Sequence, residues 1–178
     1  WRKPSTSFGS CGAAIAAWVL KPEVTLSGIL LTAAGAGLFI RLLRWRGWLA
    51  ITDGMVFILH IAYFWVAFGL VMLGASILTP AQVPQSAAIH ALTAGAIGTM
   101  TLAVMTRTSR SHTGRDRHAN GATLLVYALI NAAAVTRVAT PFIAPFYVEL
   151  LTLSALCWSL AFGIFALTYG PMLILPRR

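Results

Sequence analysis

The sequence predicts an all-α fold: a polytopic transmembrane helical bundle of about six spans, with both termini in the cytoplasm. Three observations carry this expectation. Hydrophobic residues make up 58% of the 178 positions and charged residues only 10%, whereas a soluble domain has roughly 25% charged and about 45–50% apolar residues. The mean hydropathy is +0.81, too apolar for disorder or for a water-facing surface, and suited to a bilayer. Finally, the apolar residues fall into six stretches, and the basic residues sort into alternate loops between them.

The first stretch, near 5–20, carries Ser5, Thr6, Ser7 and Ser10 and is the shortest; it reads as the tail of a truncated helix. The second, near 24–40, falls a little short of the ~20 residues that cross a hydrocarbon core, and Leu42 and Leu43 extend it to 24–43. The third, 53–78, opens at Asp53-Gly54 and runs through His60, Tyr63 and Trp65. Pro80 and Pro84 follow it, outside the membrane, as helix-breaking residues should. The fourth, 84–106, starts at Pro84, a favourable first-turn residue. Within it Ala87, Ala91, Gly95 and Thr99 recur every four residues, and Ala94 with Gly98 adds a second pair. Small residues at this spacing let helix backbones approach closely, which places the fourth helix at the centre of the bundle. The fifth and sixth, 120–140 and 147–175, are long enough to span. With no internal repeat, residues 1–178 read as a single transmembrane domain.

Orientation follows from charge. If the loops alternate sides, one side holds Arg2, Lys3, Arg41, Arg44, Arg46, Arg107, Arg110, Arg115, Arg117, Arg177 and Arg178, and the other only Lys21 and Arg137. Basic loops mark the cytoplasmic face. The net charge of +9 therefore reflects topology, and its dispersal among short loops excludes nucleic-acid binding. Cys11 and Cys157 both sit in apolar stretches and form neither a disulfide framework nor a CxxC motif. The chain begins with Trp1 instead of Met, which suggests processing, truncation or a fragment. No signal-peptide cleavage pattern follows Arg2 and Lys3.

His60 and His90 lie inside spans, where ionisable residues are costly and point to function. Imidazole suits haem iron, copper and zinc. His60 is seven residues from Asp53, roughly 10 Å from the cytoplasmic boundary, and His90 is six from Pro84, roughly 9 Å from the opposite one. Across a core of about 30 Å their heights differ by roughly 10 Å. They share one haem only if a helix tilts or the span boundaries shift; two separate centres are the equal alternative. His112, 22 residues beyond His90 or roughly 33 Å along a straight helix, cannot join it at one metal ion. Tyr63 lies one turn from His60 on the same face, as a packing or interhelical hydrogen-bonding residue, while Trp65 points elsewhere. Asn131, in the middle of the fifth span, is expected to hydrogen-bond another helix. Met100 and Met105 are expected to pack. The segment from Arg107 to His118 is a topology-fixing basic loop or, if its arginines converge, an anion site. Arg137 either pairs with Glu149 or holds a haem propionate.

The run from His90 to Arg107, followed by His112-Thr113-Gly114-Arg115, resembles the signature of the NnrS family, as do Leu59-His60 with Tyr63 and Trp65, and Tyr169-Gly170-Pro171. The resemblance covers nearly the whole chain. It implies a bacterial inner-membrane protein that contains haem and copper and is linked to denitrification and to resistance to nitric oxide and nitrosative stress. It also implies a parent protein of about twelve spans, of which this chain would match the C-terminal half and pack against the missing N-terminal half. His60, His90 and His112 are the histidines that match, with His60 and His90 the expected metal ligands. Tyr63, His112 and Arg115 are the further cofactor-binding candidates. The family's loop pattern has Gly before the last histidine, where this chain has Ser111. The alternative is a membrane carrier of a metal, haem or a small solute, for which broken helices would be the mark; no proline interrupts the middle of a span. No catalytic constellation is evident, since Asp53 and Glu149 lie at span ends.

Overall fold

Helices follow the apolar stretches closely. A computed structural model of the protein describes residues 6–22, 24–116 and 118–174, and these form an all-helical bundle with no strand among the described residues. The elements are α1 (Thr6–Leu20), α2 (Thr25–Arg44), α3 (Gly54–Leu78), α4 (Gln85–His90), α5 (Thr99–His112), α6 (Gly121–Ala139) and α7 (Tyr147–Ile174). A π-helical stretch, Ala91–Gly98, joins α4 to α5 into one continuous rod, Gln85–His112. Short 3₁₀ turns occupy Gly47–Ala50, Thr140–Phe142 and Ala144–Phe146.

Five rods are long and apolar enough to cross a membrane, from Thr25–Arg44 to Ala144–Ile174. The first expected span is not among them: its described part is α1, 15 residues from Thr6 to Leu20, and residues 1–5 lie outside the described residues. The fourth rod corrects the expectation in the other sense. It continues past 106 to His112, so the first half of the expected basic loop is helix. Thr106, Thr108 and Thr113 return their hydroxyls to carbonyls three or four residues back, which satisfies those hydroxyls without leaving the helix.

Caps set the other boundaries. The Asp53 carboxylate accepts from the backbone N–H of Met55 and Val56, and the Asn120 side chain accepts from the N–H of Thr123, each filling donors a helix start leaves open. At the end of α5, Gly114 takes φ +70°, the left-handed turn that glycine enters without a Cβ clash.

Packing against α3 dominates. The helix is apolar on all sides, the mark of an interior helix, and it contributes to both hydrophobic clusters. One cluster joins α1, α2, α3, α4, the π stretch and the end of α6 around Leu31, Trp65, Leu70, Ala91 and Ala134. The other joins α3 and α5 to α6 and α7 around Ile58, Leu102, Ile130 and Tyr169. The fourth rod shares the centre, as its small residues predict: Ala87, Ala91, Gly95 and Thr99 are all buried. Four-residue spacing would drift around a helix of ~3.6 residues per turn. The wider i→i+5 winding of Ala91–Gly98 offsets that drift and keeps the stripe facing α3 and α6.

The helices alternate in direction. The end of α3 meets the start of α2, where Leu78 lies against Gly28, and the start of α3 meets the start of α6, where Leu124 and Ala119 lie against Gly54. Arg41, Arg44, Arg46, Arg107, Arg110 and Arg115 therefore gather at one end, and Lys21 and Arg137 at the other, in keeping with the expected sorting. Arg2, Lys3, Arg117, Arg177 and Arg178 lie outside the described residues.

Candidate functional site

His60 stands two turns into α3, beside the turn that links α2 to α3. That turn is tight: Arg46 has φ +49°, a left-handed value that is uncommon for a residue with a Cβ. It brings Gly47 onto the imidazole so closely that a Cβ there would lie 2.6 Å from His60 Cδ2. Trp45 caps the ring edge-on, with centroids 6.2 Å apart and planes at 89°, and lies 4.8 Å from the Tyr63 ring. The Arg41 guanidinium sits 5.0 Å from the Trp45 ring.

The tautomer of His60 is set by its partner. Nδ1 lies 3.1 Å from the Val56 carbonyl oxygen. A carbonyl can only accept, so Nδ1 carries a proton, and in the neutral ring the lone pair is on Nε2. A backbone-anchored Nδ1–H with a free Nε2 is the arrangement of a metal-binding imidazole. His60 lines a groove of about 380 Å³ with Leu42, Leu43, Gly47, Trp48, Ile51, Phe57, Ile61 and Phe64; it is the one imidazole in an otherwise apolar wall. Tyr63 meets its expectation as a packing residue and not as a hydrogen-bonding one, since its buried hydroxyl has no hydrogen-bond partner.

His90 lies elsewhere, at the point where α4 passes into the π stretch. Irregular winding of this kind often accompanies functional positions. It lines a second groove, of about 540 Å³, with Thr93, Ala94, Ile97 and Arg137 on one side and Leu151, Ser154, Trp158 and Ser159 of α7 on the other. Gly98 makes room for the Trp158 ring, which a Cβ would meet at 2.7 Å. The two histidines thus face separate grooves toward opposite ends of the bundle. The expected Arg137–Glu149 ion pair is not formed. Both residues stand without a carboxylate–guanidinium partner among the described residues.

His112 closes α5 and is exposed, and Arg115 is exposed in the turn beyond it. Neither reaches the groove of His60 or of His90. Arg110 organises this end instead. Its Nη1 donates to the Asp116 carbonyl at 2.9 Å, and its guanidinium lies 6.0 Å from the Tyr169 ring. Trp45, Gly47 and Trp158 were not singled out by sequence. The clustered Trp45-Arg46-Gly47-Trp48 was the one local signal for the first two. Trp158 carries no spacing signal at all. Asn131 meets its expectation: its Oδ1 accepts from Trp65 Nε1 at 2.8 Å, and Trp65 accordingly points away from the His60 groove.

The donors present suit the two expected cofactors unequally. Haem would call for apolar walls and a ligand side chain, and each groove is lined by apolar side chains and one imidazole. Among the described residues no three His, Cys, Asp or Glu side chains converge as a metal cage, so copper at His60 would have one imidazole from the groove.

Comparison with curated proteins and with solved structures finds no match. A family model described as "NnrS protein" matches residues 1–177, and the chain, a membrane protein by its five spanning helices, belongs to the NnrS family.

Proposed function

We propose that this protein is a haem- and copper-binding membrane protein of the bacterial inner membrane that acts in the response to nitric oxide, with His60 and His90 as ligands of two separate centres. The observation that carries the reading is the His60 imidazole: anchored through Nδ1 to Val56, walled by apolar side chains, and left with a free Nε2. When bound, haem supplies an iron whose open position takes nitric oxide. The residues of this chain hold and orient the ring. Gly47 and Trp45 fix the plane of the His60 imidazole, and the apolar walls keep water from the ligand position. His90 plays the corresponding part in the larger groove. His112 and Arg115 belong to the ordered Arg-rich end, apart from both grooves.

The test is the visible spectrum of the protein purified from membranes, oxidised and reduced, with and without nitric oxide, together with metal analysis. The expected result is a Soret band that shifts with nitric oxide and is lost in His60→Ala or His90→Ala. Absence of haem and copper from the intact protein defeats the reading. The second reading, a carrier of a metal, haem or small solute, draws on the irregular winding beside His90, since membrane carriers bind cargo where helices depart from regular form. Transport of haem or metal by vesicles containing the protein would favour it.

A further inference from the structure

We infer that Arg137 binds a carboxylate of the porphyrin in the His90 groove, so that the propionate edge faces the end of the bundle away from Arg41, Arg44 and Arg46. This rests on the reading that His90 serves haem.

The groove has one cation and no anion. Arg137, in the last turn of α6, is half-buried and lines the groove together with His90. The groove's other polar groups are largely committed. Ser154 donates to the Ala133 carbonyl at 2.8 Å, and Thr93 to the Ile89 carbonyl at 2.9 Å. No carboxylate pairs with Arg137 among the described residues. A guanidinium at the edge of an apolar groove without a counter-ion is costly. It is also the side chain best shaped to hold a carboxylate through two parallel hydrogen bonds.

The remaining wall selects the rest of the ligand. Ala94, Ile97, Leu151 and Trp158 offer an apolar surface with an aromatic face, and His90 offers an imidazole. An anionic lipid would satisfy Arg137 and the apolar wall but leave the imidazole unused. A metalloporphyrin carboxylate uses all three. The order of the elements sets its direction: His90 ends α4 near the start of its rod, and Arg137 ends α6 at the same end of the bundle.

The test compares binding of haemin, metal-free protoporphyrin and their dimethyl esters to the purified protein in nanodiscs of zwitterionic lipid. Soret titration reads haemin, and porphyrin fluorescence reads the metal-free ring. For wild type, the free acids are expected to bind at least about tenfold more tightly than the esters, the worth of one charged hydrogen bond. Arg137→Gln should erase that difference for both ring types, Arg137→Lys should restore it in part, and Lys21→Gln, at the same end but outside the groove, should leave it unchanged. His90→Ala should weaken haemin and spare the acid-over-ester preference of the metal-free ring. Acids and esters binding alike in wild type overturns the role of Arg137 while leaving haem binding intact. Binding of none of the four overturns the haem reading itself, and this inference with it. If phosphatidylglycerol in the nanodisc abolishes the Arg137-dependent preference, the cation belongs to a lipid headgroup and the inference is also overturned.

Discussion

The Tyr169 hydroxyl donates to Thr123 Oγ1 across 2.6 Å, and the direction of that bond is fixed. Thr123 gives its own proton to Asn120 Oδ1 at 2.8 Å, an atom that can only accept. The Tyr169 oxygen is then free to face Arg110 Nε, 3.5 Å away. Arg110, Tyr169, Thr123 and Asn120 thus form one line of donors joining α5, α7 and the start of α6 at the Arg-rich end.

Tyr169→Phe should keep the stacking of this ring on Phe165, whose centroid is 5.0 Å away, but leave Thr123 Oγ1 short of a donor in a fully buried position. The expected cost is about 1–2 kcal/mol, read as a lowered thermal midpoint in detergent. Thr123→Val alone should cost a similar amount. The double variant should cost clearly less than the two together, because both changes break the same bond. Strict additivity would show that the line of donors does not act as a unit.

Gly95 tests the centre of the bundle. A Cβ at this position would sit 2.5 Å from Cδ2 and Cε3 of Trp65, and the Trp65 ring cannot retreat freely while Nε1 is bonded to Asn131. Gly95→Ala should therefore destabilise by about 1–3 kcal/mol, the usual cost of overpacking. Gly163→Ala, inside α7 with nothing within 4 Å of the added Cβ, is the matched control and should be neutral or, through added helix propensity, stabilising by up to about 1 kcal/mol. Equal midpoints for the two variants would mean that the fourth rod can shift away from α3.

The positions of the spans could be read from the sequence because membrane insertion depends on length and apolarity, which are additive along the chain. Asp53, Pro84 and Asn120 mark helix starts within a residue of where the apolar runs predict them. The stripe Ala87-Ala91-Gly95-Thr99 correctly places the fourth helix against its neighbours. Its winding was not legible, since a four-residue period drifts one way around an α-helix and the other way around the wider π winding, and only the partner surfaces decide. Extension to His112 was hidden for a related reason: Thr106 and Thr108 are polar by composition but bond back to their own helix. In the candidate site, the two histidines were visible as costly residues in apolar runs. Their placement toward opposite ends followed from their spacing to Asp53 and Pro84; the walls of the two grooves, and the contacts of Gly47 and Trp158, depend on residues distant in sequence, for which no spacing rule exists.

The Trp65–Asn131 bond joins α3 to α6 at 2.8 Å, and Asn131 Nδ2 completes the link by donating to the Tyr127 carbonyl. A double-mutant cycle with Trp65→Phe and Asn131→Ala should return a coupling of about 0.6 kcal/mol, at most ~1.7, the range for hydrogen bonds between helices in membranes. A cycle pairing Trp65→Phe with Thr123→Val, which shares no contact with it, should return none. A coupling near zero in the first cycle would reduce Asn131 to a residue that merely satisfies its own helix.

Gly47 separates the positioning of His60 from its presence. Ala at this site puts a Cβ 2.6 Å from Cδ2 and 2.9 Å from Cγ of the imidazole. Trp45, edge-on to the same ring, and the Nδ1 bond to Val56 both resist a sideways move. The ring must therefore turn or the link after Arg46 must open, and Nε2 leaves its place in the groove. If His60 is a metal ligand, Gly47→Ala should lower the affinity for its cofactor by about 10–100-fold, the scale on which supporting contacts tune a metal site. The histidine itself is retained, and the thermal midpoint should stay close to wild type, because Gly47 lies in a turn at the edge of the bundle. Gly37→Ala, where a Cβ meets nothing within 4 Å, controls for added helix propensity. Cofactor content unchanged in Gly47→Ala but lost in His60→Ala would show that the ligand tolerates displacement. Content unchanged in both would remove His60 from the centre and leave His90 as the sole intramembrane ligand.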